Sequence, residues 1–343
     1  MQARDPTLLL TITCHKHFPG HVQIDPRLAI LEQVDRFAET YGLQPAGTRW
    51  QYARAMDIHL VELHRSPPNY LRLVNLRREC PSSDQGARTL YQCLVYGYHD
   101  ALIVQLLIGK YSDWSGSLLS GWQELTESLH AGLHGNALQQ AKHGVFGASV
   151  LYWAIAEDEQ QPNDYADEVA AILQTPTPHL TETDIGLLWE NQIPLFSEAA
   201  DVFQDCWVLI TPRSAEAEAN RRYNQPLFDS PPDFTVVALA RHKFAFERAL
   251  YFDARGNLER IEARLDDRAR WILDTQLYHG AELNDLRSKA SGEFQAKLVR
   301  ASNDLADYMQ TTSRVEELQR TVSVNRKNFL INCTALISRE GAA

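Results

Sequence analysis

The sequence has few cysteines, and no two of them lie at a spacing that binds metal or forms a redox pair. Five cysteines are spread over 343 residues, and no CxxC motif occurs. Disulfide frameworks and zinc knuckles need closely or regularly spaced thiols, so this pattern excludes both classes. It is typical of buried thiols in the reducing cytoplasm, where we expect the protein to reside.

Long hydrophobic runs are also missing. No window approaches the about 18 uninterrupted apolar residues that a transmembrane helix requires. The first ten residues, MQARDPTLLL, lack the basic head and the long apolar segment of a signal peptide. We therefore expect a protein that does not enter a membrane.

Positive charge is scarce over most of the chain. Residues 1–234 have a net charge of −13, whereas residues 235–343 contain 17 basic and 15 acidic residues and no polybasic tract. An acidic surface repels the phosphate backbone of nucleic acids. Direct binding of nucleic acid is therefore not expected.

Common catalytic signatures are absent as well. The chain contains no GxSxG, no HExxH and no phosphate-binding glycine loop, and no motif joins its five cysteines to its twelve histidines. The sequence indicates no cofactor and favours a protein without enzymatic activity. A cytoplasmic hydrolase-like enzyme that uses a Cys/His pair or a histidine-rich loop is the alternative.

The chain does contain a regular succession of strand and helix signals. Thr7–Cys14 is β-branched and apolar, which predicts a buried strand, and Asp25 followed by Pro26 predicts the start of a helix that ends before Gly42. Further strands are predicted at Ala55–Leu63, Tyr70–Leu76, Leu90–Tyr96 and Ala101–Ile108.

A second series follows a helix whose apolar stripe includes Trp114 and Trp122. A strand is predicted in ASVLYWAIAED, and Asp164 is expected to cap the next helix. Another helix is predicted near Asp184–Phe203, and a last strand at Cys206–Ile210. The repeated order of strand, turn and capped helix indicates an internal duplication.

These signals predict an α+β fold in three parts. Two strand–helix sandwich units are expected at residues 1–140 and 141–232. An all-helical bundle or hairpin arm is expected at residues 233–343, since no strand signal occurs there.

The C-terminal part carries a long apolar stripe. Between Leu283 and Leu305, with Leu298 among them, apolar positions recur every about 3.67 residues, which predicts nearly straight or slightly right-handed packed helices. Another helix must cover such a stripe. We expect the preceding helices to cover the part around Leu298, and a partner protein or a second copy of the chain to cover the end. The partner-binding residues are then expected at Val315, Leu318, Val322 and Phe329.

Gly97-Tyr98-His99-Asp100 separates two of the predicted strands. Adjacent residues of an extended chain point to opposite faces, so His99 and Asp100 are not expected to form a catalytic dyad. Aspartate in a turn commonly accepts hydrogen bonds from backbone amides. We therefore predict that the pair shapes a hairpin and marks a recognition edge for a partner.

The segment CHKHFPGH, residues 14–21, is the densest group of potential metal ligands. His15 and His17 can share one face of a strand, and His21 follows the Pro-Gly turn. No acidic or Cys/His motif follows at metal-site spacing. We therefore expect no metal site, with His15, His17 and His21 as the weak candidates for one.

A longer pattern runs through the chain. LYxxLVYGYHDALIVQLLI is followed by Trp114 and Trp122, by VLYWAIAED, by CWVLITP and by TVxxxxxNF from Thr321 to Phe329. This succession resembles the CATRA proteins of prokaryotic conflict systems, which are found alongside caspase-like or related proteases and TPR-repeat proteins. The resemblance implies a non-catalytic adaptor of antiviral defence that binds a caspase-like protease or a TPR-repeat protein and couples sensing to an effector.

Overall fold

The fold is given by a computed structural model. It describes residues 3–15, 26–43, 70–81, 87–98, 100–111, 114, 116–133, 144–157, 160–174, 179–192, 195, 202–224, 233–278 and 287–337.

An eight-stranded sheet forms the centre of the structure. Its strands are β1 (Ala3–His15), β2 (Tyr70–Pro81), β3 (Arg88–Tyr98), β4 (Ala101–Tyr111), β5 (Val145–Ala156), β6 (His179–Thr183), β7 (Gly186–Asn191) and β8 (Gln204–Pro212). They are ordered β2-β3-β4-β1-β5-β8-β7-β6. Neighbours are antiparallel except for the parallel pair β5 and β8.

Six α-helices accompany the sheet within the described residues. They are α1 (Pro26–Thr40), α2 (Leu118–Ala131), α3 (Ala166–Leu173), α4 (Glu216–Ala219), α5 (Asp233–Tyr278) and α6 (Arg287–Ile337). A π-helical turn, Asn220–Asn224, follows α4. The described residues after Asp233 are all helical, so the predicted α+β class with a helical C-terminal region is confirmed.

The two halves of the sheet repeat one strand order. β1, α1 and the meander β2, β3, β4 form the first half, and β5, α3 and the meander β6, β7, β8 form the second. Counted outward from the centre, the order in both halves is first, fourth, third and second strand. Relative to the first strand of its own half, each meander has the opposite direction, because β4 is antiparallel to β1 whereas β8 is parallel to β5. Two strand–helix units are thus present, and β1 and β5 join them into one sheet.

Most of the strands lie where the sequence predicts them. Tyr70–Leu76, Leu90–Tyr96 and Ala101–Ile108 belong to β2, β3 and β4. The strand predicted at Ala55–Leu63 lies outside the described residues. The helix predicted near Asp184–Phe203 is wrong, because β6 and β7 form a hairpin there and β7 pairs with β8.

The turn between β6 and β7 explains this error. Gly186 has a φ of +147°, a backbone conformation that residues with a side chain rarely adopt. The Thr183 hydroxyl donates a hydrogen bond to the Gly186 carbonyl at 3.0 Å. The apolar residues that follow, which suggested a helical stripe, are instead part of a strand in the sheet.

Each face of the sheet has its own apolar core. Side chains alternate along β1, so Leu8 and Leu10 face α1, α2 and α3, whereas Leu9 faces the other side. On that other side the first turns of α5 contribute Phe234, and the last turns of α6 contribute Leu336. The sheet is therefore covered on both faces.

Contacts divide the chain into two compact units. The body comprises residues 1–245 and 328–343, and the helical hairpin comprises residues 246–327. These bounds differ from the predicted limits after residues 140 and 232. The pairing of β1 with β5 places strands from both sides of residue 140 in one sheet, and both ends of the helical region belong to the body.

The helical hairpin is an antiparallel pair formed by α5 and α6. The ring of Trp271 lies 6.2 Å from that of Phe294, and farther along the pair Arg264 and Arg268 form ion pairs with Asp304 at 3.4 and 2.6 Å. Less exposed positions of α6 recur at alternating intervals of three and four residues. They are Phe294, Lys297, Ala301, Asp304, Tyr308, Thr311, Val315, Leu318, Val322 and Asn325.

This repeat of about 3.5 residues is that of a left-handed coiled coil. The predicted repeat of about 3.67 residues is therefore wrong. The prediction that Leu298 lies in the core is also wrong, because its side chain is 43% exposed. Two of the inner positions belong to charged residues. Lys297 lies 3.5 Å from the centre of the Trp271 ring, and Asp304 pairs with two arginines, so neither could be recognised from hydropathy.

None of the described helices combines the length and the apolar character that a membrane span requires.

Candidate functional site

A cluster of buried polar side chains lies on the face of the sheet that α5 covers. Thr13 of β1, Ser149 of β5, Asp205 of β8 and His242 of α5 are all fully buried. His242 Nδ1 is 2.8 Å from Thr13 Oγ1, and His242 Nε2 is 2.5 Å from Ser149 Oγ. Gly147 makes room for the imidazole, because a Cβ atom there would lie 2.8 Å from His242 Cγ.

The hydrogen bonds determine which nitrogen of His242 carries a proton. Ser149 donates its single hydroxyl proton to the Asp205 carboxylate, so the Ser149 oxygen must accept from His242 Nε2. Nδ1 of a neutral imidazole then accepts from the Thr13 hydroxyl, whereas an imidazolium donates to it. In both states every polar atom of the ring has a partner.

Arg241, the residue before His242, balances the charge of Asp205. Its Nε is 2.7 Å from Asp205 Oδ2, and its Nη1 donates to Glu190 at 2.9 Å. Trp207 Nε1 donates to the Asp205 carboxylate at 2.8 Å. The guanidinium lies 4.7 Å from the Trp207 ring and 5.9 Å from that of Phe329. Cation–π contacts therefore add to the ion pairs at this position.

The pKa of Asp205 reflects two opposed influences. Burial raises the pKa of its carboxyl group, whereas His242, the charge of Arg241 and the Ser149 hydroxyl lower it. The net effect is a pKa below the ordinary value, so Asp205 is a carboxylate at neutral pH. It is the buried anion that Arg241 and His242 share.

Lys243, the next residue of α5, reaches the hairpin between β3 and β4. It forms an ion pair with Asp100. Burial raises the pKa of Asp100, and the hydrogen bond and charge of Lys243 more than offset this, so the pKa is lowered. Three consecutive residues, Arg241, His242 and Lys243, therefore attach the start of α5 to the sheet.

Two residues selected from the sequence lie at this end of the sheet. Asp100 occupies the short connection between Tyr98 and Ala101, as predicted for a turn residue. The His15 ring packs 4.3 Å from that of Phe146. His17, His21 and His99 lie outside the described residues. Among the residues that the structure describes, no three metal-binding side chains are grouped, and metal binding by His15 stays untested.

The buried cluster contains a serine, a histidine and an aspartate, but their arrangement differs from that of a catalytic triad. In a triad the acid binds the imidazole nitrogen opposite to the serine. Here Thr13 occupies that nitrogen, and Asp205 Oδ1 lies 3.7 Å from Nε2, on the serine side. Full burial also keeps a substrate away from the Ser149 hydroxyl. The cluster is therefore an anchor for α5.

Cysteines give no better support to nucleophilic catalysis. Burial raises the pKa of the Cys93 and Cys206 thiols, and it raises that of Cys333 to about 11. The nucleophilic species is the thiolate, and these three thiols remain protonated at neutral pH. Nothing about them favours the hydrolase-like alternative.

A second anchor holds the end of α6. Arg222, in the π-helical turn, is 6% exposed, and its Nη1 donates to the Leu336 carbonyl at 2.7 Å. The guanidinium also pairs with Asp184 at 3.0 and 3.1 Å and with Glu218 at 2.7 Å. A positive charge at the last carbonyls of a helix is stabilising. The side chains of Arg222, Asp184, Glu218 and Ser214 line a polar cleft of about 310 Å³.

This anchor predicts a dependence of stability on pH. Arg221 first, and then Arg222, hold the pKa of Glu218 at about 2. A pKa that is lowered on folding contributes stability above the ordinary value, about 4.3, and this contribution is lost as the pH falls to about 2. We expect Glu218→Gln to lower the free energy of unfolding by about 0.5–1 kcal/mol at pH 7, because solvent screens a side chain that is 39% exposed.

Urea unfolding at pH 7 and at about pH 3 measures this effect, which should be smaller at the lower pH. Glu216→Gln, two residues earlier in α4, is the matched control, because Glu216 forms no ion pair with a described residue. The stabilising role of the Glu218 carboxylate would be contradicted if both variants lost the same free energy of unfolding. It would also be contradicted if the loss in Glu218→Gln became larger at the lower pH.

Solvent-facing apolar side chains are concentrated on the helical hairpin. Ten large apolar side chains are exposed among the described residues, and seven of them belong to the hairpin, which holds 82 of the 343 residues. These seven are Phe252, Leu273, Leu298, Val299, Leu305, Met309 and Val324, with exposures from 43% to 65%. Clustered exposed apolar groups mark interaction surfaces.

The partner-binding residues predicted from the sequence fall into two groups. Val315, Leu318 and Val322 are half-buried and belong to the column of α6 that faces α5. Phe329 packs against the core of the body, beside Arg241. Partner binding by any of the four stays a prediction.

No protein-family model matches this chain, and no curated protein matches it.

The sequence nevertheless holds signals for the buried anchor that were missed. Thr13, Ser149 and Asp205 are polar residues of largely apolar strands, and each requires a partner when it is buried. The run Arg241-His242-Lys243 follows the apolar segment VVALA directly. Such a run at the start of a long helix is a natural source of those partners.

Proposed function

We propose that this protein is a non-enzymatic adaptor whose helical hairpin binds a protein partner. The exposed apolar side chains of the hairpin carry the proposal. Burial of a Leu or Phe side chain contributes about 1.5–3 kcal/mol, so a partner that covers several of them gains considerable affinity. The proposal places the adaptor in the cytoplasm, the compartment that its scattered cysteines suit.

The system in which the adaptor acts is proposed from the resemblance to CATRA proteins. We infer a role in a prokaryotic conflict system, in which the adaptor couples sensing to a protease or another effector. The partner is then a caspase-like protease or a TPR-repeat protein. The buried arrangement of Ser149, Asp205 and His242 is compatible with this role, because an adaptor needs an anchored helix and no reactive centre.

Coexpression of the full chain with a caspase-like protease and with a TPR-repeat protein encoded beside it tests the proposal. We expect one of them to copurify with the wild-type chain. Phe252 and Leu273 lie three heptads apart on one side of α5 and are 55% and 58% exposed. The double variant Phe252→Asp, Leu273→Asp should reduce the recovered partner about tenfold or more.

The matched control is Leu180→Asp, because Leu180 is a 50% exposed apolar residue on β6 of the body. It should leave recovery of the partner unchanged. The proposal is wrong if neither protein copurifies with the wild-type chain, or if Leu180→Asp reduces recovery as much as the hairpin variant does.

A further inference from the structure

One flank of α6 carries no charge over five helical turns. Its positions, spaced alternately three and four residues apart, are Gln295, Leu298, Ser302, Leu305, Met309 and Thr312. The three apolar members are 43%, 52% and 65% exposed. The Thr312 hydroxyl donates to the Tyr308 carbonyl at 2.8 Å, which satisfies its polar group within the helix. The opposite flank differs, since Arg300, Asp307 and Arg314 place a charge there every seven residues.

An uncharged flank of this kind is typical of a helix that packs against more than one neighbouring helix. An isolated two-helix coiled coil needs one apolar seam on each helix, and α6 already has that seam toward α5. Helices inside a bundle carry additional apolar positions beside the seam, because they contact a second neighbour. Leu298, Leu305 and Met309 occupy such positions.

The uncharged flank is also self-complementary. If two α6 helices are aligned antiparallel about an axis between residues 303 and 304, Leu298 of one copy lies opposite Met309 of the other. The small Ser302 lies opposite Leu305, and Gln295 lies opposite Thr312. Each large side chain thus meets an apolar or a small one, which is what an isologous contact requires.

We propose that this flank binds a second copy of the chain, so that two helical hairpins pack against each other through antiparallel α6 helices. The inference rests on the proposed function, because it names one partner of the same hairpin. It leaves Phe252 and Leu273 of α5 for the effector.

The distribution of charge supports a second copy as the occupant. The whole chain has a net charge of −11, whereas residues 246–327 contain 14 basic and 14 acidic residues, so the hairpin is neutral. Two acidic bodies repel each other, but two neutral hairpins approach without net repulsion. The hairpin is therefore the part of the chain through which two copies can associate most readily.

The size of the contact sets the expected affinity. One helix of each copy contributes a flank of about 25 Å, at 1.5 Å per residue. Such a contact belongs to the small interfaces of transient complexes, for which a dissociation constant on the order of 10 µM is reasonable. The dimer should therefore form and dissociate over an accessible range of concentration.

Sedimentation velocity of the full chain over about 1–100 µM tests the inference. The wild-type chain should pass from monomer to dimer, and Leu298→Glu should raise the dissociation constant about tenfold or more. Val299→Glu is the matched control, because Val299 is the next residue, is 60% exposed and lies outside the uncharged flank. It should dimerise as the wild-type chain does.

A charge exchange tests the antiparallel register. Leu298→Glu and Met309→Lys should each raise the dissociation constant about tenfold or more, whereas a chain with both substitutions should dimerise again. In that chain each introduced carboxylate meets the introduced ammonium group of the other copy, so added salt should weaken the dimer. A wild-type chain that stays monomeric, an effect of Val299→Glu equal to that of Leu298→Glu, or a double variant that stays monomeric would each overturn the inference.

This test is independent of the copurification experiment. A monomeric wild-type chain that still copurifies with its effector would overturn the dimer and leave the adaptor intact. A dimeric chain that binds neither effector would support the dimer and contradict the adaptor role.

Discussion

Asp205→Ala is expected to lower the free energy of unfolding by about 3–5 kcal/mol, because it removes one partner of a buried ion pair. Arg241 would keep its position beside β8 without the carboxylate that balances its charge. The Trp207 indole and the Ser149 hydroxyl would also lose their acceptor. Urea unfolding monitored by tryptophan fluorescence measures the loss.

Asp100→Ala is the control for this substitution. Asp100 also pairs with a basic residue of α5, but its side chain is 61% exposed, so its loss should change stability by less than about 1 kcal/mol. A second comparison uses Arg241→Met in the Asp205→Ala background, which should recover part of the loss by removing the unpaired cation. Equal effects of Asp205→Ala and Asp100→Ala would show that the buried cluster does not anchor α5.

Gly186→Ala is expected to lower the free energy of unfolding by about 2–4 kcal/mol. Two causes add. The φ of +147° is unfavourable for alanine, and a Cβ atom at this position would lie 2.1 Å from the Ile210 carbonyl oxygen of β8. Because that oxygen belongs to the backbone of a central part of the sheet, it cannot move aside without breaking strand pairing. Thermal unfolding followed by circular dichroism measures the effect.

Gly256→Ala provides the matched control. Gly256 lies within α5, and a Cβ atom there would meet nothing within 4 Å. Alanine is favoured over glycine in a helix, so this variant should be more stable than the wild-type chain by up to about 1 kcal/mol. If both glycine variants changed stability in the same direction and by similar amounts, the strained turn between β6 and β7 would not be present.

The sequence predicts those elements whose apolar pattern is decided locally. Thr7–Cys14 is rich in aliphatic and β-branched residues and contains no charged one, because β1 lies between β4 and β5 and has helices on both faces. Asp25-Pro26 marks the start of α1 because a proline suits the first turn of a helix. In both cases the local pattern and the tertiary environment require the same structure.

The sequence fails where a distant partner decides the outcome. The hairpin of β6 and β7 depends on pairing with β8, which a local helical spacing does not reveal. Two inner positions of α6 belong to Lys297 and Asp304, because Trp271, Arg264 and Arg268 of α5 interact with them. Hydropathy assigns such charged residues to the surface and therefore shifts the predicted stripe to Leu298 and Leu305.

The buried anchor was missed for a related reason. Each of its members comes from a different element, and the sequence separates Thr13 from His242 by 229 positions. A buried polar residue can be recognised from one strand, but its partner cannot, because the strand order has to be known first. The repeated order of the two half-sheets was recognisable only as a succession of strand and helix signals, since β4 is antiparallel to β1 whereas β8 is parallel to β5.

The central place of β1 has a consequence for how the chain folds during translation. Ribosomes add about 5–20 residues per second, so about 7–28 s pass between the synthesis of His15 and that of Ala156, the last residue of β5. Both hydrogen-bonding edges of β1 lack their native neighbours until β4 has been synthesised, and the edge that pairs with β5 lacks its neighbour throughout this interval, a state that invites pairing with other chains. Pairing of β1 with β4 and β5 is also slow, because the long segments between these strands lose conformational entropy when their ends are brought together. Correct assembly of the sheet therefore depends on keeping one early strand available until its neighbours emerge.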